Sequence, residues 1–226
     1  MNNLKTIILI FCAASVLFSC KPDLKSVAVK STVDSASYAV GMVIAADMQT
    51  RFKEINALAM AKAIEDIYAE NETAFTLQEA NEYLQKYMYA QYMNEVQENK
   101  TIGEEFLAEN KTKEGVVELE SGLQYKILEE GVGPNPKETD KVKVHYSGKF
   151  INGKTFDSSY DRGEPATFQL NRVIKGWTEG LQLMNVGSKW ELYIPANLAY
   201  GEQGNRNIGP NETLIFEVEL LEIVKE

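Results

Sequence analysis

The sequence predicts an α+β protein: an all-helical N-terminal part with one long helix, then a C-terminal antiparallel β half-barrel wrapped around one short helix. Helix-breaking residues are unevenly distributed, because only two of the fifteen glycines precede Gly115 and no proline lies between Pro22 and Pro134. Apolar residues recur every three or four positions before Gly115 and at alternate positions after it. This change of period predicts a domain boundary at Gly115.

Residues 1–19 resemble a bacterial lipoprotein signal peptide in the order of their charged and apolar segments. A charged start ends at Lys5, and the apolar run over residues 6–18 is too short to span a bilayer. Residues 17–20, Leu-Phe-Ser-Cys, resemble the lipoprotein box, so we expect Cys20 to be lipidated and to begin a tether over residues 20–34. An ordinary signal peptide with a chance cysteine remains the alternative. If the lipoprotein interpretation holds, Cys12 is removed and no free thiol remains for catalysis or a disulfide.

Three helices are predicted in a helical domain and stalk over residues 35–114. The first covers residues 35–52, the second residues 56–68 and the third residues 76–110. The third begins at a capping box, Thr76-Leu-Gln-Glu79, and would be about 50 Å long at 1.5 Å per residue. Since residues 94–105 are polar, we expect this part of the helix to be a solvated spacer.

The apolar side chains of the helical domain allow two interpretations. Methionines and tyrosines such as Met42, Met48, Tyr83 and Met88 suit packing between helices of one chain. The same residues suit a subunit interface, because methionine is pliable and tyrosine is amphipathic. The sequence leaves both alternatives open.

Residues 115–226 carry the signals of an antiparallel sheet. Apolar residues alternate over residues 122–128, 142–147, 166–170, 189–194 and 214–220, and Asn152-Gly153 is a hairpin signal. One helix is predicted over residues 175–184. These strands must wrap around that helix to bury their apolar face.

Composition excludes several classes of function. The formal net charge of −10 argues against binding nucleic acid. His145 is the only histidine, which removes zinc clusters and Cys/His dyads from consideration, so no metal and no cofactor is expected. The strand pattern directs His145 away from Val144 and Tyr146, so we expect it to be solvated rather than part of a Ser/His/Asp triad.

Four ordered motifs and a closing strand resemble the FKBP-type peptidyl-prolyl isomerases. The motifs are Val144-His-Tyr-Ser-Gly148, Phe156-Asp-Ser-Ser-Tyr-Asp-Arg-Gly163, Val173-Ile-Lys-Gly-Trp-Thr-Glu-Gly-Leu181 and Ile194-Pro-Ala-Asn-Leu-Ala-Tyr-Gly201, with Thr213-Leu-Ile-Phe-Glu-Val-Glu-Leu-Leu221 as the strand. A helical domain ahead of residues 122–128 is similar to the macrophage infectivity potentiator subgroup. The resemblance implies an FKBP-like domain over residues 115–226.

The resemblance also implies a binding site. It places Trp177 on the floor of an aromatic pocket and makes Asp157, Tyr200 and the backbone N–H of Ile174 the catalytic groups. The implied walls are Tyr146, Phe156, Val173, Ile208 and Phe216. The spacing of Asp157 and Arg162 permits an ion pair that keeps the carboxylate ionised.

The resemblance implies an isomerase that assists the folding of proline-containing exported proteins. It implies a homodimer, lipid-anchored in the cell envelope, in the outer membrane facing the periplasm or the cell surface, with rapamycin-type macrolides as inhibitors. The alternatives are a holdase chaperone or a surface-binding lipoprotein with low turnover. The chain departs from the family at Ala166, which replaces a phenylalanine wall, and at Gly209, which replaces a proline, so we expect a wider pocket and a more mobile loop over residues 201–211.

Overall fold

The computed structural model describes residues 27–49, 51–52 and 54–224. The predicted signal peptide and Cys20, the predicted lipidation site, lie outside these residues. The chain divides into two compact units, with the division between Thr76 and Leu77. None of the helices in the described part of the chain is both long enough and apolar enough to cross a membrane.

The first unit contains two helices. These are α1, Thr32–Met48, and α2, Ala57–Tyr68. Helix α1 begins earlier than predicted because Ser31 caps it: the Ser31 hydroxyl accepts a hydrogen bond from the Asp34 N–H at 3.0 Å, and the Asp34 carboxylate accepts one from the Ser31 N–H at 2.8 Å. The Asn56 side chain caps α2 by accepting from two backbone N–H groups of its first turn.

The apolar side chains of α1 do not form a core within one chain. No residue of α1 is buried, and Tyr38 and Met42 are 62% and 61% exposed. The first interpretation of these residues, packing between helices of one chain, is therefore wrong for α1. A subunit interface remains.

Helix α3, Leu77–Asn110, belongs to the second unit together with the strands. Its C-terminal half packs against the sheet domain: Gly103 and Asn110 are buried, and the Phe106 ring lies 6.1 Å from that of Tyr193. The Asn110 amide donates a hydrogen bond of 3.0 Å to the side chain of Gln124. Residues 94–105, expected to form a solvated spacer, are mostly exposed, but one face of this segment contacts the sheet domain through Val96, Asn99 and Gly103.

Seven antiparallel strands form one sheet in the described chain. They are β1 Val116–Glu118, β2 Gln124–Glu129, β3 Lys141–Phe150, β4 Thr155–Ser158, β5 Ala166–Gln169, β6 Lys189–Ile194 and β7 Leu214–Val224. The order is β1-β2-β6-β7-β3-β4, and β5 pairs with the other end of β3. Strand β3 therefore pairs with β4, β5 and β7, and its side chains reach the centre of the domain.

The predicted strands and hairpin are present. In β3 the side chains alternate as expected, with Val142, Val144 and Tyr146 buried. The turn from β3 to β4 is made at Asn152 and Gly153, where Gly153 has φ +84° and the Asn152 side chain accepts from the Lys154 N–H. The short strand β1 was not predicted, because three residues are too few to show a period.

Helix α4, Lys175–Leu183, packs on the concave side of the sheet as predicted. Two glycines allow the close approach, since a Cβ at Gly176 would lie 2.5 Å from Ile194 and one at Gly180 would lie 3.1 Å from Leu192. The core consists of apolar side chains that are almost fully buried between α4 and the sheet. It includes Leu123, Val144, Leu170, Leu181, Leu192, Leu214 and Val218. This packing fixes the position of Trp177 in the first turns of α4.

Candidate active site

Trp177 is the centre of an aromatic cluster. Its side chain is 4% exposed, and three rings meet it edge to face, those of Tyr146, Phe168 and Phe216, with centroid distances of 5.2, 5.5 and 5.3 Å. Such edge-to-face contacts are favoured by the ring quadrupoles. The indole is therefore held rigidly at the bottom of a concave surface.

Phe156 closes one side of this cluster. Its ring meets Phe216 edge to face at 5.5 Å, and both rings lie over Gly148 on β3. A Cβ at Gly148 would be 2.7 Å from atoms of each ring, so any larger residue there would displace both. Glycine at this position is required by the close approach of the two walls.

The cluster encloses a cavity of about 530 Å³. It is lined by Tyr146, Phe156, Asp157, Phe168, Arg172, Val173, Ile174, Lys175, Trp177, Ala199, Tyr200 and Phe216. All the predicted site residues lie in this lining except Ile208. That residue is 4% exposed and packs in the core, because the Asn205 side chain accepts hydrogen bonds from the N–H groups of Asn207 and Ile208 and turns the loop inward.

Four residues that line the cavity were not predicted from the sequence to belong to the site. Phe168 follows the substituted position Ala166 by two residues on β5, so that both point to the same side, and its ring supplies a wall there. Arg172 and Lys175 are exposed and form no ion pair within the described residues, so they place two positive charges at the mouth of the cavity. Ala199 precedes Tyr200. It was not predicted because a side chain as small as alanine gives no sequence signal for a pocket wall.

One carboxylate faces this apolar cavity. The predicted ion pair is present: Arg162 Nη1 donates to Asp157 Oδ1 at 2.5 Å, and Arg162 Nη2 donates to the Tyr146 hydroxyl at 2.9 Å. Tyr146 in turn donates its hydroxyl proton to Asp157 Oδ2 at 2.5 Å. Both oxygens of Asp157 are thus held by hydrogen bonds, and the carboxylate has a fixed orientation.

These contacts determine the charge of the group. Partial burial alone would raise the pKa of Asp157, but the hydrogen bonds from Tyr146 and Arg162 outweigh it and hold the pKa below its ordinary value. Burial and the bond to Asp157 raise the pKa of Tyr146, and the bonds to Tyr146 and Asp157 raise the pKa of Arg162. The three groups therefore stay as carboxylate, phenol and guanidinium at neutral pH.

Two hydrogen-bond donors lie on other sides of the cavity. Ile174 precedes the first turn of α4 in an extended conformation, with φ −60° and ψ 149°, and its N–H forms no hydrogen bond within the described residues. Tyr200 is 39% exposed, and burial, with the nearby charge of Asp157, raises the pKa of its hydroxyl, which therefore remains a donor. The cavity can thus bind a carbonyl oxygen at two separate points.

His145 does not belong to this cavity. Its Nδ1 lies 3.0 Å from the Ser159 hydroxyl, and its ring stacks on Tyr160 at 4.6 Å, so it is half-buried rather than solvated as predicted. The Ser159 side chain is fully buried and accepts a hydrogen bond from the Tyr146 N–H at 2.8 Å. These contacts fix the turn after β4 against β3, and neither residue borders the cavity.

Comparison with known proteins gives two family matches. Residues 133–221 match the family described as FKBP-type peptidyl-prolyl cis-trans isomerase, and residues 33–127 match the domain amino terminal to FKBP-type peptidyl-prolyl isomerase. The first match covers the cavity described above. The second begins in α1, includes α2 and α3, and ends in β2.

Individual relatives resemble most of the chain. The outer membrane protein MIP of Legionella longbeachae is 41% identical over 200 residues, covering 85% of this chain and 86% of the relative. The peptidyl-prolyl cis-trans isomerase Mip of Coxiella burnetii is 40% identical, covering 87% of this chain and 89% of the relative. The crystal structure of FkpA from Escherichia coli has a TM-score of 0.70 and 35% identity, with coverage of 87% of this chain and 98% of that chain.

Proposed function

Because the chain belongs to the family of FKBP-type peptidyl-prolyl cis-trans isomerases, we propose that the Trp177 cavity accelerates the proline-limited folding of exported proteins without covalent chemistry. The isomerase activity follows from the family. The finer proposal is carried by one observation, an apolar aromatic cavity that holds a single oriented carboxylate.

The chemistry requires only that rotation about one bond be made easier. Resonance keeps the prolyl amide planar and imposes a barrier of roughly 18–20 kcal/mol. The planar amide is more charge-separated than the twisted one, so transfer from water into an apolar cavity disfavours the ground state more than the transition state. Lowering the barrier by about 5–6 kcal/mol would accelerate rotation roughly ten-thousandfold.

Each group around the cavity has a role in this mechanism. The apolar surface that receives the proline ring is formed by Trp177, Tyr146, Phe156, Val173 and Phe216. The Ile174 N–H and the Tyr200 hydroxyl donate hydrogen bonds to carbonyl oxygens of the bound segment. Asp157 faces the twisting amide as a fixed negative charge. None of these roles requires a metal or a cofactor.

A protease-free refolding assay tests the isomerase function. We expect the wild-type protein to accelerate a proline-limited folding phase at catalytic concentration, and rapamycin, as a competing ligand of the cavity, to abolish the acceleration. Suppression of aggregation without acceleration would contradict the proposal and favour a holdase.

The pH dependence of the same assay tests the role of Arg162. A depressed pKa keeps Asp157 ionised, so wild-type activity should be constant from pH 8 down to the ordinary range of aspartate, about pH 4. In Arg162→Gln the hydrogen bond and charge that lower this pKa are lost while burial remains, so the fall in activity should begin at higher pH. Identical pH profiles for the two proteins would remove Arg162 from the mechanism.

We also propose that the protein is a lipid-anchored component of the cell envelope. The signal peptide and Cys20 support this location, and the Legionella relative is named an outer membrane protein. In cells supplied with labelled palmitate, the wild-type chain should incorporate the label and Cys20→Ser should not. Equal labelling of both would contradict the anchor.

A homodimer is proposed on the apolar surface of α1. The helix belongs to the part of the chain that matches the domain amino terminal to the isomerase. Since none of its residues is buried within one chain, a second copy is the simplest cover.

A further inference from the structure

The loop between Tyr200 and β7, residues 201–213, is held from outside by helix α3. The Tyr92 hydroxyl donates a hydrogen bond of 2.7 Å to the Glu202 carbonyl, and the Asn99 amide donates one of 2.8 Å to the Pro210 carbonyl. The Asn211 amide donates one of 3.2 Å to the Val96 carbonyl. We call these three hydrogen bonds the clasp.

One face of α3 supplies the whole clasp. Tyr92, Val96, Asn99 and Gly103 follow one another at spacings of three or four, which places them in line on a helix. Gly103 is buried because the side chain of Thr213 occupies the space where its Cβ would be. The contact therefore extends along the helix from the beginning of the loop to its end.

The inner side of the same loop packs in the core, directly after Tyr200 of the cavity lining. The loop is closed at its neck, where the Asn211 N–H donates to the Gly201 carbonyl at 2.9 Å, next to Tyr200. Asn211 has φ +52°, a conformation that few residues other than glycine and asparagine adopt readily. Ile208 is buried in the core, so the loop is fixed on its inner side at one point and on its outer side by the clasp.

From this arrangement we infer that Tyr92 and Asn99 are positioning residues of the isomerase: through the clasp they hold the loop so that the Tyr200 hydroxyl stays in reach of a carbonyl in the cavity. This inference rests on the role proposed for Tyr200. A loop of this length would otherwise be mobile, and ordering it before substrate binds lowers the entropy cost of the productive complex. The two residues lie outside the region that matches the isomerase family, residues 133–221.

The contact with α3 also affects the part of the loop around Gly209. The sequence predicted a more mobile loop there, but a side chain at Gly209 would meet Glu95 of α3 at 3.3 Å and Glu212 at 3.5 Å. The approach of α3 to the loop leaves this part of the loop beside the helix rather than free in solvent. The approach brings two carboxylates together, since burial and the charge of Glu95 raise the pKa of Glu212. This repulsion opposes the clasp, so Glu95→Gln is expected to tighten it.

The test compares clasp variants with substitutions of the same type elsewhere on α3. Tyr92→Phe and Asn99→Leu remove the two donors, while Tyr89→Phe and Asn94→Leu make the same changes at exposed positions without a contact to the loop. We expect the first pair together to lower kcat/KM by about three- to tenfold. Hydrogen exchange of the amides at 202–212 should become faster, with exchange in β3 and β7 unchanged. The control pair should change neither quantity, and Glu95→Gln should slow exchange in the loop.

A second arm separates this inference from the role of Tyr200. In a Tyr200→Phe background the clasp substitutions should have little further effect on kcat/KM, since the group they position is absent. Multiplicative losses in the two backgrounds, or unchanged activity despite faster loop exchange, would overturn the inference. If Tyr200→Phe alone leaves kcat/KM unchanged, the role proposed for the hydroxyl fails, and clasp variants that still lose activity would act by another route.

Discussion

Replacement of Asp157 by alanine is expected to lower kcat/KM for prolyl isomerisation by about ten- to a hundredfold, equivalent to roughly 1.4–2.7 kcal/mol of transition-state stabilisation. The carboxylate is the only acidic group among the described residues that line the cavity, and both its oxygens are oriented by Tyr146 and Arg162. Asp157→Asn retains an oxygen that accepts from Tyr146 but loses the charge. Its activity should therefore lie between those of the wild type and Asp157→Ala.

The matched control for this prediction is Asp161→Ala. Asp161 lies four residues after Asp157, in the turn that follows β4, and it is exposed, but its side chain does not border the cavity. The Asp157 side chain is itself 44% exposed, so its removal should leave the melting temperature nearly unchanged and the loss can be assigned to catalysis. Equal activities of Asp157→Ala and Asp161→Ala in the refolding assay would exclude the carboxylate from the mechanism.

The walls of the cavity were predicted from the resemblance of four ordered motifs to the FKBP-type family, and the local sequence pattern agrees with that resemblance. In β3 the alternation of apolar residues directs Tyr146 inward, and the glycine-containing helix start directs Trp177 toward it. Asp157 and Arg162 are close in sequence, so a short turn sufficed to predict their ion pair. This ion pair therefore needed no information about distant parts of the chain.

The clasp could not be predicted in the same way. Tyr92 and Glu202 are 110 positions apart, and Asn99 and Pro210 are 111 apart. Hydropathy assigns a polar helix face to water, although asparagine and tyrosine donors are equally well satisfied by the carbonyls of a loop. The place of Ile208 in the core rather than in the cavity lining depends on the turn at Asn205, which is made by side-chain hydrogen bonds and has no period.

Helix α1 presents a different problem. Its sequence predicts apolar packing, but the described residues of one chain leave the apolar side chains of this helix exposed. Val40, Met42 and Val43 are 58%, 61% and 72% exposed although they point in different directions around the helix. A helix that is apolar on all sides is normally buried, and a large exposed apolar surface marks an interaction site. A second copy offers the same apolar surface in return, so that an interface about a twofold axis is self-complementary.

A single charge on this surface should therefore convert the proposed dimer into a monomer. Met42→Lys would place an ammonium group in the interface, where burial without a partner costs several kcal/mol. Light scattering on the unlipidated chain at micromolar concentration should give two copies for the wild type and one for Met42→Lys. Ala74→Lys adds the same charge at an exposed position between α2 and α3, outside α1, and should remain a dimer.

In this variant, activity on a short peptide and activity on a large client should respond differently. Isomerisation of a short proline peptide by Met42→Lys should equal that of the wild type, because each cavity is formed within one chain. Refolding of a large unfolded client should weaken by about tenfold or more, since a dimer can bind two segments of one client and the second binding event is then intramolecular. A monomeric wild type would refute the interface on α1. Equal losses on peptide and client would instead show that the substitution damages the cavity, because loss of a second binding point cannot slow the reaction of a peptide that occupies only one.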